Sequence, residues 1–277
     1  MIEDNAAMEW TVVVGRKKKN NASRYREPRK IDTGSSDQTQ YLSMAAYAFE
    51  AGGTEPVDSD EDDKIMSRMR SSLKKVAEST FYKKLLEQLQ SPEVLNSVMR
   101  VVGMDSQLQM VVYGIGSIGD SERSRLQLSL ALLLKQRFCW VGEIEVFDPI
   151  VTASEYRVIK SLGCTFAEIN EQGRRTVNRP TLFFMPHCEA FLYDNVLQVN
   201  WSALLLNRIV FFGNSFNSYL ENSSVSRNPP GYVLAIAEHV HEFEILTVSS
   251  DFFPAFNNMS WHFFHLDPSL DLKTLKI

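Results

Sequence analysis

Val111-Val112-Tyr113-Gly114-Ile115-Gly116-Ser117-Ile118-Gly119-Asp120-Ser121-Glu122 reads as a buried strand, a G-x-G-x-x-G turn and a helix start capped by Asp120 or Ser121. Glycines in such a turn let the backbone bend sharply and approach a ligand, while the amides of the following helix face an anion. Two readings stay open. The turn is either a nucleotide or phosphate site, or a βα turn that favours glycine for steric reasons alone. Asp120 and Glu122 place negative charge where a phosphate would lie, and the Lys-Ser/Thr pair of a P-loop is missing, which disfavours NTP hydrolysis of that kind.

Outward from this turn the chain alternates strand and helix. Apolar runs predict strands over 110–113, 144–147, 165–169, 181–185, 209–212 and 243–248. Helical spacing predicts helices over 123–135, 153–162, 190–199 and 232–239. That alternation indicates βαβ units, hence an α/β fold: a Rossmann-like, doubly wound and mostly parallel sheet over residues 101–277. Aromatic residues 252–264 follow the last predicted strand and read as a cover over one sheet edge.

In an open α/β sheet, ligands bind outside the carboxyl ends of the strands. The polar tips there are Asp148, His187, Asn214 with Ser215, and Ser249-Ser250-Asp251 after the last strand; Asp148, His187, Asn214 and Ser215 with Gly114, Gly116, Ser117 and Gly119 form the candidate ligand-binding crevice. An acid such as Asp148 takes ribose hydroxyls in Rossmann-like folds, although it follows Gly119 later than the usual spacing of about 20 residues. Adjacent His187 and Cys188 point apart on an extended chain, which makes them poor partners as base and nucleophile. His187, His239, His241, His262 and His265 lack the spacing of a zinc site. No catalytic residue and no metal ligand is assigned, and the cofactor stays unknown.

Upstream, Ile65, Met69, Leu73, Val76, Phe81, Leu85, Leu86 and Leu89 recur near helical spacing, predicting one long helix or two, with another over 93–100. Residues 64–100 are therefore a helical extension. Residues 1–63 hold few apolar residues and read as a disordered charged tail. They carry a basic block at 16–30 and an acidic block at 50–63. Of 29 Lys+Arg and 34 Asp+Glu, eight and thirteen fall in this tail, so the whole net charge of −5 belongs to it.

Arg16-Lys17-Lys18-Lys19 offers a nuclear-import patch, and Ser59, amid acids, a phosphorylation site. Three scattered cysteines fit a reducing compartment. The acidic start is unlike a signal peptide, and no run of apolar residues is long enough to span a membrane. Nothing matches a DNA-binding motif, and residues 64–277 carry no net positive charge.

Tyr113-Gly114-Ile115-Gly116-Ser117, Asp148-Pro149, Pro180-Thr181-Leu182-Phe183-Phe184-Met185-Pro186-His187-Cys188, Asn200-Trp201 and Gly213-Asn214-Ser215-Phe216 occur in that order. Together they make residues 100–265 resemble the SRR domain, the "sensitivity to red light reduced" family, and Glu9-Trp10-Thr11-Val12-Val13 is similar to the opening of its plant and animal members. The resemblance implies a plant protein that regulates rather than catalyses. It implies a role in phytochrome B red-light signalling, circadian clock input and photoperiodic flowering, in nucleus and cytoplasm. Fungal and animal relatives are linked to microtubule- and haem-related roles, so the family by itself implies no single biochemical activity. The expected partners are proteins bound through the tail and a small-molecule ligand in the crevice. The rival class is an enzyme using a nucleotide or S-adenosylmethionine, with Gly114, Gly116 and Gly119 holding the cofactor and Asp148 its ribose.

Overall fold

Strand β1, Leu108–Tyr113, is buried along nearly its whole length, as a central strand covered on both faces must be. In the computed structural model, which describes residues 59–223, 229–245 and 251–277, it lies inside a seven-stranded sheet. The other strands are β2 (Val141–Phe147), β3 (Thr165–Phe166), β4 (Thr181–Met185), β5 (Ile209–Asn214), β6 (Val240–Glu244) and β7 (Met259–Phe264). Their order is β3-β2-β1-β4-β5-β7-β6, parallel from β3 to β5, with β7 antiparallel to both its neighbours. The expected doubly wound, mostly parallel α/β fold is therefore present. The chain winds from β1 toward β3, then returns to lay β4 on the other side of β1. The β1–β4 border is thus the topological switch point.

Strand periodicity sorts the core into two layers. Met110, Val112, Leu182, Phe184, Val210 and Phe212 face one side, and Val111, Tyr113, Phe183, Met185, Ile209 and Phe211 the other. The first side is covered by helices α1 (Ser59–Ala77), α2 (Thr80–Gln90), α3 (Pro92–Val102), α4 (Glu122–Arg137), α5 (Ala153–Ser161) and α10 (Phe253–Phe256). The second is covered by α6 (Ala190–Val199), α7 (Ala203–Leu206), α8 (Phe216–Asn222) and α9 (Gly231–Ile236). Between β3 and β4 no helix forms among residues 167–180. Arg175 holds that loop instead, pairing with Glu145 through two hydrogen bonds of 2.6 and 2.9 Å and with Glu171 at 2.7 Å.

The helical extension shares the sheet's core, with Ile65, Met69 and Val76 of α1 inside it. Arg157 of α5 clamps Asp62 through hydrogen bonds of 2.7 and 2.8 Å, and Lys75 pairs with Glu122 at 2.9 Å. The single long helix breaks at Ser79, whose hydroxyl caps α2 by accepting from Tyr82 N.

Four expectations change. The strand expected at 165–169 ends at Phe166, where the chain leaves the sheet for the loop that Arg175 holds. The tail boundary drawn at residue 63 moves back, because Ser59 already opens α1 and Asp60, Glu61 and Asp62 form its first turn. Acids are favoured there by the unpaired amides of a helix start. The rest of that tail, with its basic block and import patch, lies outside the described residues. The strand expected at 243–248 begins earlier, at Val240, and residues 246–248 lie outside the described residues. Within the aromatic segment read as a cover, Met259–Phe264 is a fully buried strand between β5 and β6. Ser260 and His262 interrupt its apolar run and hid it.

Candidate functional site

At the end of β1 the chain turns through Gly114 and Gly116, at φ +67° and +72°. Side chains rarely tolerate that left-handed region, and space forbids them as well: a Cβ on Gly114 would meet Cys188 Sγ at 2.7 Å, and one on Gly116 would meet Ser124 Oγ at 2.9 Å. The helix that follows is capped by Ser121, whose hydroxyl accepts from Ser124 N at 3.2 Å.

The turn's amides already have acceptors from the protein itself. Gly116 N donates to Asp148 Oδ2 at 2.7 Å, and Ile150 N to Asp148 Oδ1 at 3.0 Å. Gly119 N and Ser117 Oγ both donate to Glu155 Oε1, at 2.7 and 2.5 Å. The other Glu155 oxygen accepts from Thr152 N at 2.8 Å, closing a capping box at the start of α5. Burial opposes the Glu155 charge, yet Ser117 and the Thr152 and Gly119 amides outweigh it and hold the carboxyl below its ordinary range. At the same residue, Gly119 O accepts from Arg68 of α1 at 2.7 Å and from Arg125 at 3.1 Å.

Across the switch point, two residues past the end of β4, His187 sits at φ +57°, an uncommon backbone for a residue with a Cβ. Asn214, at the end of β5, holds it there: Oδ1 accepts from His187 N at 2.9 Å, while Nδ2 donates to Cys188 O and to Tyr219 Oη. Tyr193, fully buried, donates its hydroxyl proton to Met185 O and accepts from Asn214 N, stitching the two strand ends together. Against a backbone hydrogen bond to Ala255, burial, with the Arg123 charge second, pushes the His187 imidazole below its ordinary value and so favours the neutral ring. Burial also pushes the Cys188 thiol up to about 12, and its proton is given to Tyr113 O. That thiol is no nucleophile at neutral pH.

Between these parts lies a cleft of about 610 Å³. Gly114, Gly116, Ser117 and His187, named from sequence, line it. Gly119, Asp148 and Asn214 stand behind, holding the turn and His187 in place, and Ser215 is buried as the cap of α8. Asp251, a polar residue expected after the last strand, lines the cleft too, whereas sequence reasoning missed Arg123, Ser124 and Gln127 on α4 and Pro254 and Ala255. The helix start just after the glycine motif was signal enough for Arg123. Nothing local marked Pro254 and Ala255, which Gln127 Nε2 fastens to α4 through Ala255 O at 3.0 Å. Glu155 was legible as the acid of a T-x-x-E capping box. Among the described residues no group of three or more His, Cys, Asp and Glu is placed to hold a metal, and no helix is long and apolar enough to cross a membrane.

Comparison with known proteins adds the following. The SRR1 domain matches residues 85–263. Protein SENSITIVITY TO RED LIGHT REDUCED 1 of Arabidopsis thaliana is 49% identical over 212 residues, covering 75% of this chain and 77% of that protein. The SRR1-like protein of Mus musculus is 39% identical over 123 residues, 42% of this chain and 47% of its own. Among solved structures, a mutant of MtNAS overlaps 72% of this chain and 70% of its own, at 14% identity and a TM-score of 0.37.

Proposed function

The chain belongs to the SRR1 domain family, and from that premise we propose that it is a non-catalytic, ligand-responsive regulator of the red-light response. In this reading it serves phytochrome B signalling and circadian clock input, with effects on clock-gene expression and photoperiodic flowering. It acts in nucleus and cytoplasm and contacts protein partners through its charged N-terminal segment. The observation that carries the reading is the 49% identity to an Arabidopsis protein named for reduced sensitivity to red light.

The site geometry supports regulation over catalysis. A phosphate or carboxylate seeking the Gly116 and Gly119 amides would have to displace Asp148 and Glu155. The rival enzyme using a nucleotide or S-adenosylmethionine on that loop loses those donors, and with Cys188 protonated it has no thiolate. What remains is a cleft bordered by a turn that α1 grips through Arg68. Occupancy of the cleft can then be felt by the helix leading to the N-terminal segment.

The test is complementation. Arabidopsis plants lacking their own protein, transformed with the full 277-residue chain, should regain wild-type seedling height under continuous red light, clock period and flowering time. Accumulation of the protein with all three unrestored would overturn the proposal.

A further inference from the structure

We propose that the cleft at the β1–β4 switch point binds a small organic acid, a single carboxylate on an apolar or aromatic skeleton, through Arg123 and His187. The inference rests on the ligand-responsive reading above and gives that ligand a chemical class.

Its volume of about 610 Å³ suits a metabolite-sized ligand, and its position is where open α/β sheets take one. Two polar groups on its walls await a partner. Arg123, exposed on α4, makes no hydrogen bond or ion pair among the described residues. The His187 ring interacts with the Ala255 backbone, yet its Nε2 is buried without a hydrogen bond of good geometry, although buried polar atoms nearly always have one. The backbone holds His187 in a conformation that a side chain disfavours, and Asn214 spends its amide keeping it there. Strain maintained this way at a cleft wall points to a role for that side chain.

Charge narrows the class. With the Gly116 and Gly119 amides taken, the anion must go to Arg123, whose planar fork matches one carboxylate. Two acids, Glu122 and Asp251, also lie on the lining, and Glu122 pairs with Lys75. A guanidinium and an imidazole beside two acids take a monoanion more readily than a phosphate dianion. Apolar Ile115, Leu126 and Pro186 share the lining with polar Ser121, Ser124 and Gln127. An apolar skeleton packs against the former.

Fluorine NMR of the full chain with 4-fluorobenzoate, 4-fluorobenzamide and 4-fluorophenyl phosphate tests this. 4-Fluorobenzoate should bind with a millimolar constant, about that expected of a fragment, and unlabelled benzoate should displace it. Arg123→Gln should weaken it about tenfold, the effect of one charged hydrogen-bonded contact, while Arg137→Gln, away from the cleft, should not. His187→Gly removes the imidazole yet suits the φ of +57°, so it should weaken binding without lowering the melting temperature. Equal binding of the amide, tighter binding of the phosphate, or indifference to Arg123→Gln would overturn the carboxylate assignment. Absence of fluorobenzoate binding in a chain that complements the plant would do so too, and would leave the regulatory reading intact. Binding in a chain that fails to complement would sink the regulatory reading alone.

Discussion

At Gly114 a single methyl group would meet Cys188 Sγ at 2.7 Å on a backbone held at φ +67°. Gly114→Ala should therefore cost about 2–4 kcal/mol, part from the left-handed strain and part from the clash. Urea unfolding of Gly114→Ala alone and with Cys188→Ala separates the two: the second change should recover only the clash. Full recovery would mean that the backbone is not strained there. Glu155 makes a second prediction. It is 1% exposed, its pKa is depressed, and its stabilisation is complete above the unfolded carboxyl's pKa and lost as pH falls through the folded one. Glu155→Gln should cost about 1.5–3 kcal/mol at pH 7 and flatten the acid limb of stability below pH 5. An unchanged acid limb in a pH series of urea midpoints would show that Glu155 is not the group responsible. The glycines were legible as residues because nothing else fits such a turn. The partners of their amides were not, since they come from residues 32 and 36 positions away.

Among the elements, the connection from β3 to β4 departs most from the alternating pattern. Loop 167–180 covers the sheet face over β1 and β2 with an ion network in place of a helix. Arg175 pairs there with Glu145 and Glu171, and Glu171 also accepts from Tyr113 Oη at 2.8 Å. Arg175→Met would leave two largely buried carboxylates facing each other, so a loss of about 3 kcal/mol is expected. Combining it with Glu145→Met should recover part of that loss, and a double mutant as unstable as the sum of the singles would refute coupling. Asp62 belongs to α1, and its hydrogen bond from Arg157 holds its carboxyl below the ordinary range. Both partners are partly exposed, so Asp62→Asn should cost at most about 1 kcal/mol, yet it should speed hydrogen exchange in the first turns of α1. Protection unchanged there would mean that the apolar face of α1 suffices. The Ser121 cap was read from the sequence because capping is local; Ser79 and Thr152 cap α2 and α5 by the same local bond but were not singled out. Strand β7 was hidden because Ser260 and His262 break its apolar run, and only pairing with β5 and β6 makes room for them.

The whole molecule should be acid-labile. Burial holds His262 and His265 down to about 4, with Glu242 opposing the effect at His262 and the charges of His241 and Arg100 adding to it at His265. Between about 4 and the ordinary value of 6.5 the unfolded chain binds more protons than the folded one, so stability falls as pH drops through that window. Urea midpoints at pH 7, 6 and 5 should decline steadily, and His262→Gln should remove about half of the decline above pH 5. A flat profile would refute the burial argument. The charge balance is also sharper: residues 1–58 hold eight cations and nine acids, and Asp60, Glu61, Asp62 and Asp63 supply four of the five net negative charges. These acids lie on the first turns of α1, where the helix start favours them.

By itself the sequence determined the doubly wound sheet, the glycine turn and, to within two residues, the limits of α4, α5 and α6. Period-two burial, backbone sterics and capping act within a few residues and leave their pattern in the order of the chain. Only the tertiary structure decided what the turn is for. Folding brought the Asp148 and Glu155 carboxylates onto its amides, set Asn214 under His187, and left Arg123 facing the cleft without a partner among the described residues. Such contacts join distant residues, and a hydrogen bond between them exists only once the whole sheet has placed both ends.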